Sequence, residues 1–351
     1  MELYSGNYKL YLVVPLILTL LFAFIVGVYP GVTQGIDLKG GTQIILRADK
    51  PVDSVKLKEL LDARFQFTEL SINSISSPVT NGVTIQFSEE TTLSQSKQEL
   101  DLAKSLLDSD LSQAEIHAIN SINFSSAFFE PSGYADLTGK DLIEKADEIY
   151  SKAKDSMNQE IKNIISSNFG LNPDFSFSTK EVPPVLGQTF WDNALFVSIL
   201  ALIGIVLVIF LFFREVIPSV AVIYAGIFDV LTALALMSLT GIALSLNSIP
   251  ALLLLIGYSV DTDILLTTRL LKRKDKTPRK RVIDSMKTGL TMTFTTLAAV
   301  LVMLVLSFIY QIDVMFNIAA VILFGLLGDL IVTWMMNAPI LLWYVERKGK
   351  A

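Results

Sequence analysis

Six stretches of the chain stay apolar long enough to cross a bilayer, and one long stretch between the first two does not. Residues 9–28, 192–213, 216–239, 247–268, 285–309 and 318–345 each reach the ~20 residues a helix needs to span the hydrocarbon core. The segment between the first and second runs changes period instead. "TQIILRA" and "GVTIQFS" are short and rich in β-branched residues, as strands are, and "TELSINSIS" is a weaker candidate between them. "DSVKLKELLDARF" and "TLSQSKQELDLAKSLL" repeat apolar residues at helical spacing. The order strand, helix, strand, strand, helix, strand predicts a split βαβ (ferredoxin-like) unit, one sheet face covered by two helices. A third helix carries an apolar stripe from Leu142 through Ile143, Ala146, Ile149, Tyr150, Ala153, Met157, Ile161 and Ile164 to Ile165, with Thr138 as its N-cap. Such a stripe is expected to pack in a core; left exposed, it could hold an unfolded apolar segment.

The fold class expected is therefore a membrane α-helical protein, a six-span bundle with an α+β domain between spans one and two. Its divisions are 1–30 (first span with a short tail), 31–190 (α+β domain), 191–346 (five spans) and 347–351 (tail). Composition agrees: 52% of residues are hydrophobic and only 18% charged, and the charges cluster. Residues 269–281 hold eight Lys and Arg, Arg214 separates spans two and three, and Arg347, Lys348 and Lys350 close the chain; the loops near Gly241 and Asp313 have none. By the positive-inside rule both termini and the basic loop 269–284 are cytoplasmic, and segment 31–190 lies outside the cell membrane. The first run lacks a small-residue cleavage signature, so it reads as a retained anchor rather than a cleaved signal.

Charge and residue types also exclude several chemistries. Segment 31–190 carries 14 Lys and Arg against 23 Asp and Glu, so nucleic acid is not an expected ligand. No cysteine is present, and His117 is the single histidine, which removes thiolate chemistry, histidine metal sites and Ser/His/Asp triads. His117 reads as a surface or strand residue. No cofactor, metal or enzymatic activity is expected. "GIDLKGG" precedes a strand rather than a helix, so it reads as a tight connection and not as a phosphate loop.

The chemistry that stands out is acidic and lies at membrane depth. Asp229, Asp261, Asp263 and Asp329 all fall within spans, where a charged side chain costs roughly 2.5–3.5 kcal/mol on insertion scales. Asp261 and Asp263 are about 200° apart on a helix, so they cannot line one seam. Thr288, Thr291 and Thr295 place a hydroxyl stripe on the fifth span. Carboxyls and hydroxyls brought together could pass protons, or could only hold helices together.

"GIDLKGGTQIIL", "PPVLG" before the second span, "FDV" in the third and "GYSVDTDILLTTRLLKR" in the fourth together resemble the SecD/SecF family of protein-export membrane proteins, nearest its archaeal SecF branch. The family motifs fall on Gly35, Asp37, Gly40, Gly41, Gly187, Gly257 and Arg269. The resemblance implies a bundle of the resistance-nodulation-division type, a SecD-like partner, a Sec channel of the SecY/SecE kind, a secretory polypeptide as substrate, and contact with membrane lipid. It implies an accessory translocase subunit that uses the proton-motive force. Asp261 stands where the SecD-type motif has its acid, whereas the bacterial SecF-type acid falls at Thr262. Phe228 stands where a histidine commonly precedes Asp229, and the fifth-span arginine of bacterial SecF aligns near Thr288, with Lys287 beside it. Asp261 is expected to be the principal proton-exchanging group, since Arg269 is eight residues on, about 12 Å along the helix. Asp229 and Asp329 are expected to assist, with Asp263 a structural acid. A proton-driven exporter of small molecules or lipids, or a passive translocon scaffold, are the rival readings.

Overall fold

The computed structural model describes residues 4, 8–48, 52–67, 69–76, 81–88, 90–169, 177–182, 184–273, 276–310 and 312–348. Pro183, Lys274 and Lys350, used above in sequence motifs and charge counts, lie outside the described residues. A 3-10 turn, Tyr8–Leu12, runs into α1 (Val13–Gly27), which is followed by the one-turn α2 (Ile36–Lys39). Then come β1 (Gly41–Ala48), α3 (Ser54–Arg64), β2 (Leu70–Ser76), β3 (Asn81–Phe87), α4 (Thr91–Leu106), α5 (Leu111–Ser125), α6 (Gly139–Phe169) and β4 (Phe177–Val182). The rest is helical: α7 (Pro184–Phe213), α8 (Val216–Thr240), α9 (Ser248–Lys272), α10 (Pro278–Tyr310), α11 (Asp313–Val332), a π-helical turn Thr333–Asn337, and α12 (Ala338–Lys348). Two compact units result, Gly40–Pro184 and Met1–Lys39 with Val185–Ala351.

In the first unit the sheet order is β2-β3-β1-β4 with every neighbouring pair antiparallel, the order of a split βαβ unit. Ile44 of β1 stands opposite Ile85 of β3, and with Leu46, Val83 and Phe87 they form the buried sheet face. Helix starts follow capping chemistry: the Asp53, Glu90 and Asp110 carboxylates accept the first free amides of α3, α4 and α5. The apolar stripe of α6, from Leu142 to Ile165, lies in the same core, so it is packing and not an open cradle. α6 begins directly after Thr138, but its Gly139 amide donates to Glu115 Oε1 at 2.6 Å.

α5 is an element the sequence reading did not anticipate. It pairs closely with α4 because small side chains meet there: buried Ser96 donates to the Ser121 carbonyl at 2.8 Å and lies 2.8 Å from Ser125 Oγ. His117 therefore sits on a helix, not a strand, with Nδ1 2.8 Å from Glu99 Oε2 on α4. This hydrogen bond holds the Glu99 carboxyl below its usual range, burial opposing it. A depressed carboxyl stabilises above its unfolded value and loses that contribution as the pH falls through its folded value. Hydrogen-exchange protection of α4 and α5 in the intact protein is thus expected to fall below about pH 4, and Glu99→Gln should flatten that dependence. The effect is on the order of 0.5 kcal/mol for a partly solvated pair.

The paired glycines open β1 for a steric reason. Gly41 has φ +135°, and a Cβ there would lie 2.6 Å from the Phe87 carbonyl oxygen, a backbone atom that cannot swing away. Gly41→Ala is expected to cost roughly 1–3 kcal/mol, read as a lower melting temperature and faster proteolysis within residues 40–184.

Among the described residues the second unit holds six helices long and apolar enough to cross a membrane: Tyr8–Gly27, Gly187–Phe213, Val216–Thr240, Ser248–Lys272, Pro278–Tyr310 and Asp313–Lys348. Residues 31–39, assigned from sequence to the α+β segment, group instead with these helices. The Gly35 amide donates to the Leu244 carbonyl at 2.8 Å, the Leu244 amide to the Thr33 carbonyl at 2.8 Å, and Leu38 is buried beside Leu244. A Cβ on Gly35 would come within 3.3 Å of the Leu244 carbonyl, which accounts for a glycine there. Gly40, at φ +83°, then turns the chain into β1.

Candidate functional site: a buried carboxylate cluster

Three of the four membrane-depth acids meet. Asp229 near the middle of α8, Asp263 on α9 and Asp329 on α11 all have no solvent exposure, as do Ser259, Thr262, Thr267, Thr333 and Asn337. Glycine makes this possible. A Cβ on Gly328 would sit 2.7 Å from Thr232 Oγ1 of α8, and one on Gly325 would sit 2.0 Å from Leu255 Cδ2 of α9. With hydrogens at both positions α11 wedges between the two helices, and Asp329, next to Gly328, is delivered to the seam.

A chain of donors runs through the site. Ser259 Oγ donates to Asp329 Oδ1 at 3.1 Å, Thr333 Oγ1 is 2.9 Å from Asp329 Oδ1 and 3.3 Å from Asp263 Oδ1, and Asn337 Nδ2 donates to Asp263 Oδ1 at 2.8 Å. A threonine hydroxyl has a single proton. Both Thr333 contacts are full hydrogen bonds only when one of the two carboxyls carries a proton and donates it back. Both oxygens of Asp229, Oδ2 of Asp263 and Oδ2 of Asp329 have no hydrogen-bond partner among the described residues. The electrostatic neighbours of Asp229 and Asp263 are other carboxylates, with Asp329 acting on both, and no Lys or Arg is among them. Buried carboxyls without a cation cannot all be charged together, so the cluster can hold and exchange protons.

The backbone that carries Thr333 and Asn337 is irregular, and Pro339 explains it. Proline has no amide hydrogen and its ring clashes with the carbonyl one turn back, so the helix widens into the π turn, where the Ala338 amide reaches the Thr333 carbonyl. The Trp334 carbonyl, whose donor would be Pro339, is served by Tyr4, whose buried hydroxyl donates to it at 2.7 Å. Asn337 and Thr333 thereby face Asp263 from the sixth span. Sequence reading missed both; the signal was the proline within an otherwise continuous apolar run.

The other sequence candidates lie apart from this cluster. Asp261, expected to be principal, is exposed on the outer face of α9, where Leu254, Gly257 and Asp261 form one stripe. Asp263, expected to be merely structural, is central. Thr262 is buried, its hydroxyl without a hydrogen-bond partner among the described residues. Thr291 and Thr295 face outward and donate to their own helix, to the Lys287 and Thr291 carbonyls, so the hydroxyl stripe does not join the acids. Thr288 donates to the Asp284 carbonyl and accepts from Arg269, whose Nη1 also donates to that carbonyl at 3.0 Å; Lys287 is exposed. Arg269 thus ties the end of α9 to α10 and does not reach the carboxylates. Of the remaining motif residues, Asp37 lies in α2 and Gly187 is buried in α7.

Comparison with known proteins bears on this arrangement directly. The family described as protein export membrane protein SecD/SecF, C-terminal, matches residues 163–347, and the SecD/SecF GG motif matches residues 30–52. A protein-export membrane protein SecF from Methanocaldococcus jannaschii is 31% identical over 97% of this chain and 96% of its own length. The SecF of Pyrococcus furiosus is 41% identical over 58% of this chain and 66% of that protein. The crystal structure of SecDF, a translocon-associated membrane protein from Thermus thermophilus, superposes with a TM-score of 0.62 at 14% identity, covering 99% of this chain and 60% of that one. The matched region contains every helix that builds the carboxylate cluster, and the GG motif contains the Gly35 clip and the Gly40–Gly41 turn. The chain is a multi-pass membrane protein that belongs to the SecD/SecF family of protein-export membrane proteins.

Proposed function

We propose that the chain is an accessory subunit of the Sec protein translocase, a transport subunit rather than an enzyme, which promotes export of secretory polypeptides by coupling proton movement to work. The observation that carries this reading is the Thr333 hydroxyl set between Asp263 and Asp329, with Asp229 beside them and no Lys or Arg among their electrostatic neighbours in the described residues. A proton that moves between carboxyls changes which groups repel each other and therefore how α8, α9 and α11 pack. The basic loop, Arg214 and the Arg347–Lys348 end support a reading with both termini in the cytoplasm and the α+β unit outside.

Asp261 takes a different role from the one expected from sequence. It has no hydrogen-bond or ion-pair partner among the described residues and faces away from the bundle. A carboxylate facing lipid is costly, so the Leu254–Gly257–Asp261 stripe is the surface for a second bundle, that of a SecD-like partner. Small residues suit such contacts because backbones can approach closely.

The test is export into vesicles containing the Sec channel, the SecD-like partner and this chain. Stimulation of export should require a proton gradient and vanish with a protonophore. Stimulation that persisted at full size without a gradient would reject coupling and leave a scaffold. Asp261→Asn should weaken co-purification of the SecD-like partner several-fold while the monomer stays folded; unchanged association would reject the interface.

A further inference from the structure

α7 meets the rest of the bundle at its two ends and stands off in between. At one end Trp191 packs beside Leu244 and Ile249; at the other Ile209 and Phe213 are buried against Val222. Between them runs a cleft of about 390 Å³ bounded by α7, α8 and α9. Small residues leave room for it, Ala194 and Ser198 on the α7 wall and Gly226 on the α8 wall. The remaining walls are aliphatic, including Ile205, Val230 and Ile256.

What fits follows from the dimensions. From Trp191 to Ile209 a helix rises about 27 Å, and over that length the cleft is a slot about 7 Å wide. A helix with its side chains is about 10–12 Å across, too wide to fit, so a partner's span cannot enter. Water has no reason to: a cavity with aliphatic walls stays dry. A flexible hydrocarbon chain is thin enough, is the surrounding solvent at this depth, and restores the dispersion contacts that such walls otherwise lack. The cleft's length falls within the ~30 Å hydrocarbon core, so a tail that enters at one end stays at membrane depth throughout. Trp191 stands at one mouth, and tryptophan favours the headgroup level.

We propose that the cleft between α7 and the α8–α9 pair binds one hydrocarbon tail of a membrane lipid, entering beside Trp191 from the leaflet at that end. The tail supports α8 on its Val222–Gly226–Val230 face, while Asp229 faces the carboxylate seam. The site therefore lies directly behind the proton-exchanging cluster without belonging to it, and it stands whether or not that cluster exchanges protons.

The test uses the full-length chain in detergent and dioleoylphosphatidylglycerol as probe. Native mass spectrometry should find one lipid retained per chain under conditions that strip loosely held lipid. The double variant Ala194→Phe, Ser198→Phe, which fills the cleft, should lower that occupancy at least five-fold, whereas Val197→Phe on the exposed side of α7 should leave it unchanged. Retention of no lipid by the unaltered chain, or equal retention by the filled variant, overturns the proposal. A second measurement needs no substitution: phosphatidylglycerol with a diazirine on its tail should label residues 222–230 of α8 on the face covered by α7. Labelling confined to the outward face of α7, such as Val197 and Leu200, overturns it as well.

Discussion

Asp329→Asn is expected to reduce gradient-dependent stimulation of export to below a tenth while leaving the melting temperature unchanged or higher. The two halves of this expectation come from one fact. Asp329 accepts from both Ser259 and Thr333 and acts electrostatically on the other two acids, so it is the hub of the cluster. Asparagine keeps the shape and one accepting oxygen but cannot take up or release a proton. Removing a carboxyl that lies near two others also removes repulsion, and a buried charged group replaced by a neutral one of the same size is often neutral or stabilising. A residue held for structure alone would behave oppositely, losing stability and export together. Asp263→Asn should follow Asp329→Asn, because Thr333 links them. Thr333→Val should retain both acids yet slow the gradient-dependent rate, since the bridging hydroxyl is gone. Export assays in vesicles and thermal unfolding of the purified variants read both quantities. Equal stimulation by the unaltered chain and Asp329→Asn would end the assignment of this cluster to coupling.

What the sequence could and could not tell follows from which signals are local. Hydrophobic run length is local, and all six spans were legible to within a few residues at most ends. The strand–helix alternation was legible for the same reason, and the stripe on α6 pointed to the core that it joins. α5 was missed because its apolar positions are mixed with Ser and Asn, and its helix closes on α4 through serine pairs rather than an apolar face. The acids were found, but their packing does not follow the order expected of them: Asp263 is buried with Asp229 and Asp329, and Asp261 is exposed. Angular spacing correctly separated Asp261 from Asp263, yet it could not say which of the two faces inward, because that depends on where α11 packs. The motif argument favoured Asp261, which the fold leaves exposed on α9. Asn337 and Thr333 were invisible to periodicity, since the π turn breaks the helical count. Pro339 announced the break but not its hand in aiming Asn337.

Gly328→Ala is expected to be more damaging than Gly325→Ala, although the added methyl at Gly325 makes the closer contact. A Cβ at 325 would meet Leu255 at Cδ2 (2.0 Å), Cδ1 (2.6 Å) and Cγ (2.8 Å), atoms that a turn about the Leu255 side-chain bonds carries away together. A Cβ at 328 would meet Thr232 at Oγ1 (2.7 Å), Cβ (2.8 Å) and Cγ2 (3.1 Å). Thr232 is buried and donates to the Phe228 carbonyl at 2.8 Å, and its Cβ, 2.8 Å from the added methyl, stays where it is in every rotamer. The helices must separate instead. Overpacking of this kind costs roughly 1–3 kcal/mol, and because Asp329 is the next residue the displacement opens the carboxylate seam and uncouples export. Gly325→Ala should cost about 1 kcal/mol, the lower end of that range, and keep coupling. Thr232→Ala in the Gly328→Ala background removes two of the three clashing atoms and should restore part of both stability and coupling, a non-additivity that neighbours in contact are expected to give. Unfolding midpoints and vesicle export for the two single variants and the double variant decide the matter. If Gly328→Ala left both untouched, close approach of α11 to α8 would not be what delivers Asp329 to its partners.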